Sequence, residues 1–471
     1  MTARRASAFV SATGLAGLVF SCGVVCCEKA ETRDSRGAQS TGRSVAALSP
    51  AKAGAPPAAK PQLIEPEPEQ TQLDSDGDDD ATSDEPGNPL GPGQFERVGR
   101  APAALQRICD LSALGGALYA AHATRPLGLD GASITRFRPA DARPLSLAFD
   151  WNRAGEPSKG GGAGQGFLRV HAIGGRLFVP DADPPYNGFG ISEPGTEGFV
   201  FVSTTEGEFA KARMPGHLPP RAPDPAGKAG ALVLPRAYHV IDAIRFRGNL
   251  YAATGAVPPG ERAWHGASPG ALLVETELGA RFAYAADYPR PYQNGVWRLT
   301  FLVRFRDRLY AGLQDYDQRD PNDYVYFAPP RERSLISQED LHAVRVTEAG
   351  TAQTLRWYAD HGVLYWIAWN REGVGLRVSS DGETWRVVAL PTDVGVPTDI
   401  VRFRGALHVL TSHALLRLDV AGPTLLWRAP DKRSPFELGD SFCAAPLGVF
   451  QGQLYAGGQQ GGVLYRFKQD I

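Results

Sequence analysis

Five arginines, Arg107, Arg169, Arg236, Arg298 and Arg356, stand near the beginnings of successive short apolar runs. A guanidinium is a rigid fork of donors, so several converging on one place would form a positive mouth that holds a carboxylate or sulfate through paired hydrogen bonds. The same placement suits solvated strand-end charges paired with local acids, and the sequence leaves both readings open. A second group falls in long stretches between apolar runs: Tyr186, Asn187, Phe189, Trp264, His265, Tyr292, Trp297, Asp315, Tyr316 and Asp317. Aromatic faces beside Asn, Asp and Arg suit a sugar or a peptide, and they equally suit the internal packing of long loops. Asp315 or Asp317 is the acid that a glycan-active enzyme would set beside the arginines. The same acids with Asp320 and Asp323 make either a calcium loop or a polar loop of Asx turns. His265, His342, His361, His408 and His413 do not pair at ligand spacing with Cys or acids. Nucleophile elbow, Walker loop and dinucleotide fingerprint are missing, so no catalytic residue, metal or cofactor is assigned.

The elements that must position these groups recur past Phe95. Each unit has an apolar strand, a turn, then Leu-Tyr or a variant followed by small residues; the clearest copies run from Ala243 to Ala253 and from Leu302 to Gly312. Others are anchored at Leu118-Tyr119, Leu177-Phe178, Leu364-Tyr365, Leu407-His408 and Leu454-Tyr455, which makes seven. A second hairpin follows each anchor, so one unit has four strands. The last unit has room for three, ending with Val463–Phe467, and the segment Gln94–Pro102 reads like the missing outer strand. These patterns predict an all-β, seven-bladed β-propeller over 94–471, closed by its N-terminal strand so that no long edge stays free. The alternative is an open solenoid or two packed sandwiches.

The 54 Gly and 38 Pro against 2 Met agree with many short strands and turns. A formal net charge of -2 and the lack of a basic cluster exclude a nucleic-acid partner. Ahead of the repeats, Arg4 and Arg5 precede an apolar run from Ala6 to Phe20 that is short for a membrane span. Val19-Phe20-Ser21-Cys22 resembles the lipobox of bacterial lipoproteins, with Phe20 departing from the usual small residue. The resemblance implies a signal peptide over 1–21, lipidation at Cys22 and a membrane anchor. Gly23 after the cysteine implies the outer membrane of the cell envelope; a plain cleaved signal is the alternative. Residues 22–93 read as a disordered acidic Pro/Ala-rich linker. Within it Asp74, Asp76, Asp78 and Glu85 take EF-hand positions, yet Asp79 stands where that loop needs Gly.

Ser379-Ser380-Asp381-Gly382-Glu383-Thr384-Trp385 resembles the Asp-box of sialidase-type, BNR-repeat propellers, and Ser203–Phe209 is similar to a degraded copy. The resemblance implies architecture: in that family the box lies away from the active site. The arginine motif that opens sialidase-like enzymes is missing here. The leading expectation is therefore a non-enzymatic module that binds an envelope protein or a glycan. A sialidase-like hydrolase or lyase, and a purely structural envelope protein, are the alternatives. Cys109 and Cys443 lie near the starts of the first and last inner strands, either as a disulfide across the closing seam or as two buried thiols.

Overall fold

The computed structural model describes residues 87–102, 105–123, 132–151, 166–182, 198–210, 226–234, 237–255, 270–279, 282–288, 296–315, 320–347, 352–430, 433–439 and 442–470. Cys22, the leader and the acidic stretch lie outside them. Among the described residues the strands pair antiparallel in fours, three of these sets being joined into one twelve-stranded sheet by single rungs at Gly255–Arg298 and Leu313–Gln353. The chain opens with β1 (Gly93–Arg100), and blade 1 follows as β2 (Arg107–Leu114), β3 (Ala117–Ala123), β4 (Ser133–Phe137) and β5 (Leu145–Asp150). Blade 2 is β6 (His171–Ile173), β7 (Arg176–Pro180), β8 (Gly198–Val202) and β9 (Gly230–Leu234). Blade 3 is β10 (Tyr238–Phe246), β11 (Asn249–Gly255), β12 (Ala271–Glu275) and β13 (Ala283–Asp287). Blade 4 is β14 (Val296–Phe305), β15 (Arg308–Asp315), β16 (Tyr324–Phe327) and β17 (Leu341–Val344). Blade 5 is β18 (Gln353–Asp360), β19 (Val363–Asn370), β20 (Gly373–Ser379) and β21 (Arg386–Val387). Blade 6 is β22 (Pro397–Phe403), β23 (Ala406–Thr411), β24 (Ala414–Asp419) and β25 (Gly422–Arg428). Blade 7 is β26 (Leu447–Phe450), β27 (Gln453–Gly457) and β28 (Val463–Gln469), with β1 as its outer strand.

The first strand of each set touches the first strand of the next, and β26 touches β2, so the inner strands form a closed ring. This is a β-propeller. The hairpin leaving each inner strand is tight: at Arg247–Gly248, His361–Gly362, Arg404–Gly405 and Gln451–Gly452 both turn residues have positive φ, the two-residue turn whose twist matches the strands. Small residues after each Leu-Tyr, such as Ala120, Ala121, Ala252 and Ala253, are fully buried and let neighbouring sheets approach.

The seam is closed by pairing. β1 runs antiparallel to β28, with Phe95 opposite Phe467 and Glu96 opposite Arg466. Phe95 meets Trp427 and Phe436 with ring centroids 5.0 Å apart, and Arg466 Nε donates to Glu96 at 2.7 Å. Blades 7 and 1 share a core of Ile108, Leu111, Leu118, Phe137, Phe450, Tyr455 and Leu464. Each such side chain contributes about 1.5–3 kcal/mol when fully buried.

Cys109 and Cys443 are joined as a disulfide across this seam, 334 residues apart in sequence. Cys443 lies in the loop before β26, off the inner strand, which lets it reach blade 1. A nonreducing peptide map is expected to show the linked 109–443 fragment. Reduction is expected to lower stability by about 2–5 kcal/mol in chemical denaturation, since the linkage restricts the unfolded chain.

Candidate functional site

The ring's axis carries a layer of charge set by one position of the repeat. Eight residues before Leu118, Leu177, Leu250, Leu309, Leu364, Leu407 and Leu454 stand Asp110, Arg169, Asp242, Phe301, Arg356, Asp399 and Pro446. In blades 1, 3, 5 and 6 the inner pair slips register immediately before this position, at Ile108/Asp110, Val240/Asp242, Thr354/Arg356 and Pro397/Asp399. An extra residue in one strand re-aims the side chain that follows it. Here the bulges let side chains of separate blades meet across the axis.

Arg356 of blade 5 crosses to blade 1, where Nη1 donates to Asp110 Oδ1 at 3.0 Å and Nη2 to the Cys109 carbonyl at 3.2 Å. Its Nε lies 3.1 Å from Asp399 Oδ1 of blade 6. Arg169 of blade 2 sits 3.5 Å from Asp110 and 3.9 Å from Asp242, with its guanidinium carbon 4.0 Å from the Phe301 ring centroid. His171 Nε2 is 2.6 Å from Asp242 Oδ1. Each aspartate also staples its blade to the next. Val170 N–H donates to Asp110 at 3.0 Å, Leu302 N–H to Asp242 at 2.8 Å and Leu447 N–H to Asp399 at 2.7 Å. Burial pushes the carboxyls of Asp110 and Asp399 up, the latter to about 6, against the pull of Arg356.

Above this layer the loop between β25 and β26 straps the mouth. Its Cys443 is bonded to blade 1, and Phe442 packs on Phe301 of blade 4 at 6.2 Å, with the Arg298 guanidinium carbon 5.8 Å from the Phe442 centroid. Arg107 donates to the Cys443 carbonyl and to Gln459 Oε1, both at 3.0 Å. Below the layer, a cavity of about 380 Å³ extends toward the end where the inner strands turn back, walled by blades 5, 6, 7 and 1.

The expected positive mouth is thus corrected for Arg107, Arg169 and Arg356. All three are buried, and Arg169 and Arg356 are neutralised by carboxylates of other blades. Nor are they solvated strand-end charges. Arg298 is half-buried on β14, opposite Gln314. Asp315 is buried at the end of β15, where its Oδ2 accepts the Asp320 N–H at 2.8 Å. Asp320 in turn accepts Tyr288 OH at 2.7 Å, and Asp323 accepts the N–H groups of Val346, Thr347 and Ala352. That is the geometry of a polar loop. Trp297 lies on β14, its side chain outside the described atoms; Tyr186, Asn187, Phe189, Arg236, Trp264, His265, Tyr292, Tyr316 and Asp317 lie outside the described residues. The aspartates of the axial layer escaped the sequence reading, although their constant distance from the Leu-Tyr anchor would have found them.

The Ser379–Trp385 turn is a folding device. Asp381 Oδ1 accepts the N–H groups of Glu383 and Thr384 at 2.8 and 2.7 Å, while Ser379 Oγ accepts that of Gly382 at 2.8 Å. Those bonds hold the Asp381 carboxyl well below the usual range. Trp385 Nε1 donates to Tyr324 OH at 2.9 Å, and Tyr324 OH donates to the Gly382 carbonyl at 2.6 Å. Gly382 has φ +79°, and a Cβ there would lie 2.0 Å from Tyr310 OH in the preceding blade. Gly207 makes the same contact with Tyr119. Gly382→Ala is therefore expected to cost about 2–4 kcal/mol from positive φ and overpacking together, measured by urea denaturation.

No protein-family model matches the chain, and no curated protein matches it. Among solved structures it is similar to a streptogramin B lyase, at 10% identity and TM-score 0.48, covering 80% of this chain and 98% of that one. It is also similar to virginiamycin B lyase from Staphylococcus aureus, at 8% identity and TM-score 0.47, covering 80% and 99%. YCF48 from Cyanidioschyzon merolae is 13% identical with TM-score 0.42, covering 79% and 98%. Nothing about activity, substrate or partner follows from likenesses of this size.

Proposed function

We propose that the protein is a lipoprotein of the cell envelope, anchored to the outer membrane through Cys22, whose seven-bladed propeller acts as a non-enzymatic binding or scaffold module for an envelope protein or a glycan. The observation that carries this reading is the commitment of the axial charges. Asp110, Asp242 and Asp399 each accept a backbone N–H of the following blade and each lies beside Arg169 or Arg356. Groups so engaged hold the ring together; catalysis requires groups that exchange protons with a substrate. The Asp-box-like turn at Ser379–Trp385 supports an architecture of the BNR type in the same way, through packing between blades.

Two measurements test the reading. Cells fed labelled palmitate are expected to label the wild-type chain and not Cys22→Ala. The purified chain, crosslinked in intact envelopes, is expected to capture a defined protein or glycan and to leave a broad glycan panel unhydrolysed. Turnover of any glycan would replace the binding module with the sialidase-like alternative, and unlabelled wild-type chain would remove the anchor.

A further inference from the structure

The hairpin that leaves each inner strand carries one side chain to the rim of the ring, three residues before the Leu anchor. Blades 1 and 2 place glycine there, in the Gly115–Gly116 and Gly174–Gly175 turns. Blades 3, 4 and 6 place arginine: Arg247, Arg306 and Arg404 have φ of 48°, 54° and 49°. Left-handed backbone strains a side chain and favours Gly or Asn, so three arginines at this one position run against local preference and point to a use for their charge. The turns adjoin: Arg247 Nη2 donates to the Asp307 carbonyl of the blade 4 turn, and Arg404 Nη2 to the Gly452 carbonyl of the blade 7 turn, both at 3.4 Å. Among the described residues none of the three pairs with a carboxylate. They donate to backbone carbonyls or lie over the Phe246, Phe305 and Phe403 rings. The acids of the same turns are matched by other arginines, Asp307 by Arg331 at 3.2 Å and Asp360 by Arg402 at 2.9 Å. The turns of blades 3 to 6 therefore make a positive arc, while Gly115, Gly174 and Gln451 leave the rest of the rim neutral at this position.

The described chain begins on this arc. Gly87 packs against the Arg404 side chain, so closely that a Cβ on Gly87 would stand 3.2 Å from Arg404 Cγ. Immediately before it, seven of the twelve residues Asp74–Glu85 are acidic, and no Lys or Arg occurs between Lys60 and Arg97. Glu85 is two residues from Gly87, hence within about 7 Å of it, and the whole tract reaches about 45 Å at full extension. Neighbouring turns lie one arginine's reach apart, so that length suffices to pass from blade 6 to blade 3. Covalent tethering so close to the arc presents the acids at an effective concentration on the order of millimolar.

We propose that the positive arc of Arg247, Arg306 and Arg404 is the docking surface for this chain's own acidic tract, Asp74–Glu85. The docked tract covers the arc, and an external polyanion reaches the arginines only by displacing it. The contacts join exposed charges, so salt weakens them, the screening length being on the order of 10 Å at 0.1 M. Lipidation at Cys22 is not required for the dock.

An endoprotease that cuts before aspartate tests the dock on the full chain, with cleavage between Asp74 and Asp84 followed by mass spectrometry. At low salt the tract is expected to be cut roughly tenfold more slowly than a peptide of residues 70–88, and the difference is expected to vanish in high salt. The double variant Arg306→Asn, Arg404→Asn is expected to raise the rate toward that of the peptide. Asparagine suits left-handed backbone, so this variant is expected to melt no lower than wild type, and its loss of protection then reports charge and not folding. A second measurement leaves the propeller untouched. With Asp74, Asp76, Asp78, Asp79, Asp80 and Asp84 all changed to Asn, the chain is expected to bind poly-L-glutamate roughly tenfold tighter in calorimetry, because its arc is uncovered. Wild-type cleavage at the peptide's rate, protection unchanged in the arginine variant, or equal poly-L-glutamate binding by wild type and the tract variant overturns the proposal. Protection that rises with protein concentration also overturns it, giving the arc to the tract of a second copy.

Discussion

Arg356→Ala is expected to destabilise the propeller by about 3–5 kcal/mol, because it leaves buried carboxylates without their counter-charge. Asp110 and Asp399 would then face each other across the axis with Arg169 and His171 as the remaining cationic neighbours of Asp110, and both already have carboxyls raised by burial. Lysine at this position would restore one charge without the fork that spans Asp110, Asp399 and the Cys109 carbonyl, so Arg356→Lys should recover only part of the loss. The pH dependence has a definite sign. A carboxyl whose pKa is higher folded than unfolded takes up a proton on folding, so its ionisation costs stability above the folded value and the cost is relieved as pH falls. For Asp399 the window runs from about 6 downward to its ordinary value of 3.8. Denaturation of Arg356→Ala at pH 7 and pH 5 should show the deficit shrinking at pH 5; a larger deficit at pH 5 would refute the account of the axial layer.

Deletion of Gln94–Arg100 is expected to abolish stable folding. It removes the ladder with β28 and uncovers Phe467, Trp427 and Phe436, which now pack on Phe95. It also exposes a long strand edge, the usual route to aggregation. Phe95→Ala is the graded form of the experiment and should cost about 2–4 kcal/mol with the ring still closed. A soluble deletion product melting within a few degrees of the full chain would show that β1 is dispensable.

The two expectations differ in how much of them was legible in the sequence. The missing fourth strand of the last unit was visible because the repeat is counted by a strong local signal, Leu-Tyr after a turn, and β1 pairs where that count leaves a place. The inner hairpins were legible for the same reason, since a Gly in a two-residue turn is a local requirement of backbone twist. The axial layer was only half legible. Its arginines stood out by type, but Asp110 and Arg356 lie 246 residues apart, so no window of sequence pairs them. The bulges before Asp110, Asp242, Arg356 and Asp399 depend on which residues two strands place opposite each other, and composition does not encode that. The strap was missed because Cys443 was read only as lying near the start of an inner strand, and its place in the preceding loop, four residues before Leu447, carries no local signal of where that loop goes.

Placing the first strand of the domain at the outer edge of its last blade has a mechanical consequence. Any pull arriving through the residues before Gly87 acts first on Leu90, whose carbonyl accepts Arg417 Nη1, and then on the Gly93–Gln469 end of the β1–β28 ladder. Force applied there peels the ladder from its Gly93–Gln469 end. The Cys109–Cys443 bond sits beyond that ladder, so blades 7 and 1 stay tied after β1 is stripped away. The molecule would yield at its rim before it yields at its axis, and a load that tears the outer strand free would leave a ring able to close again.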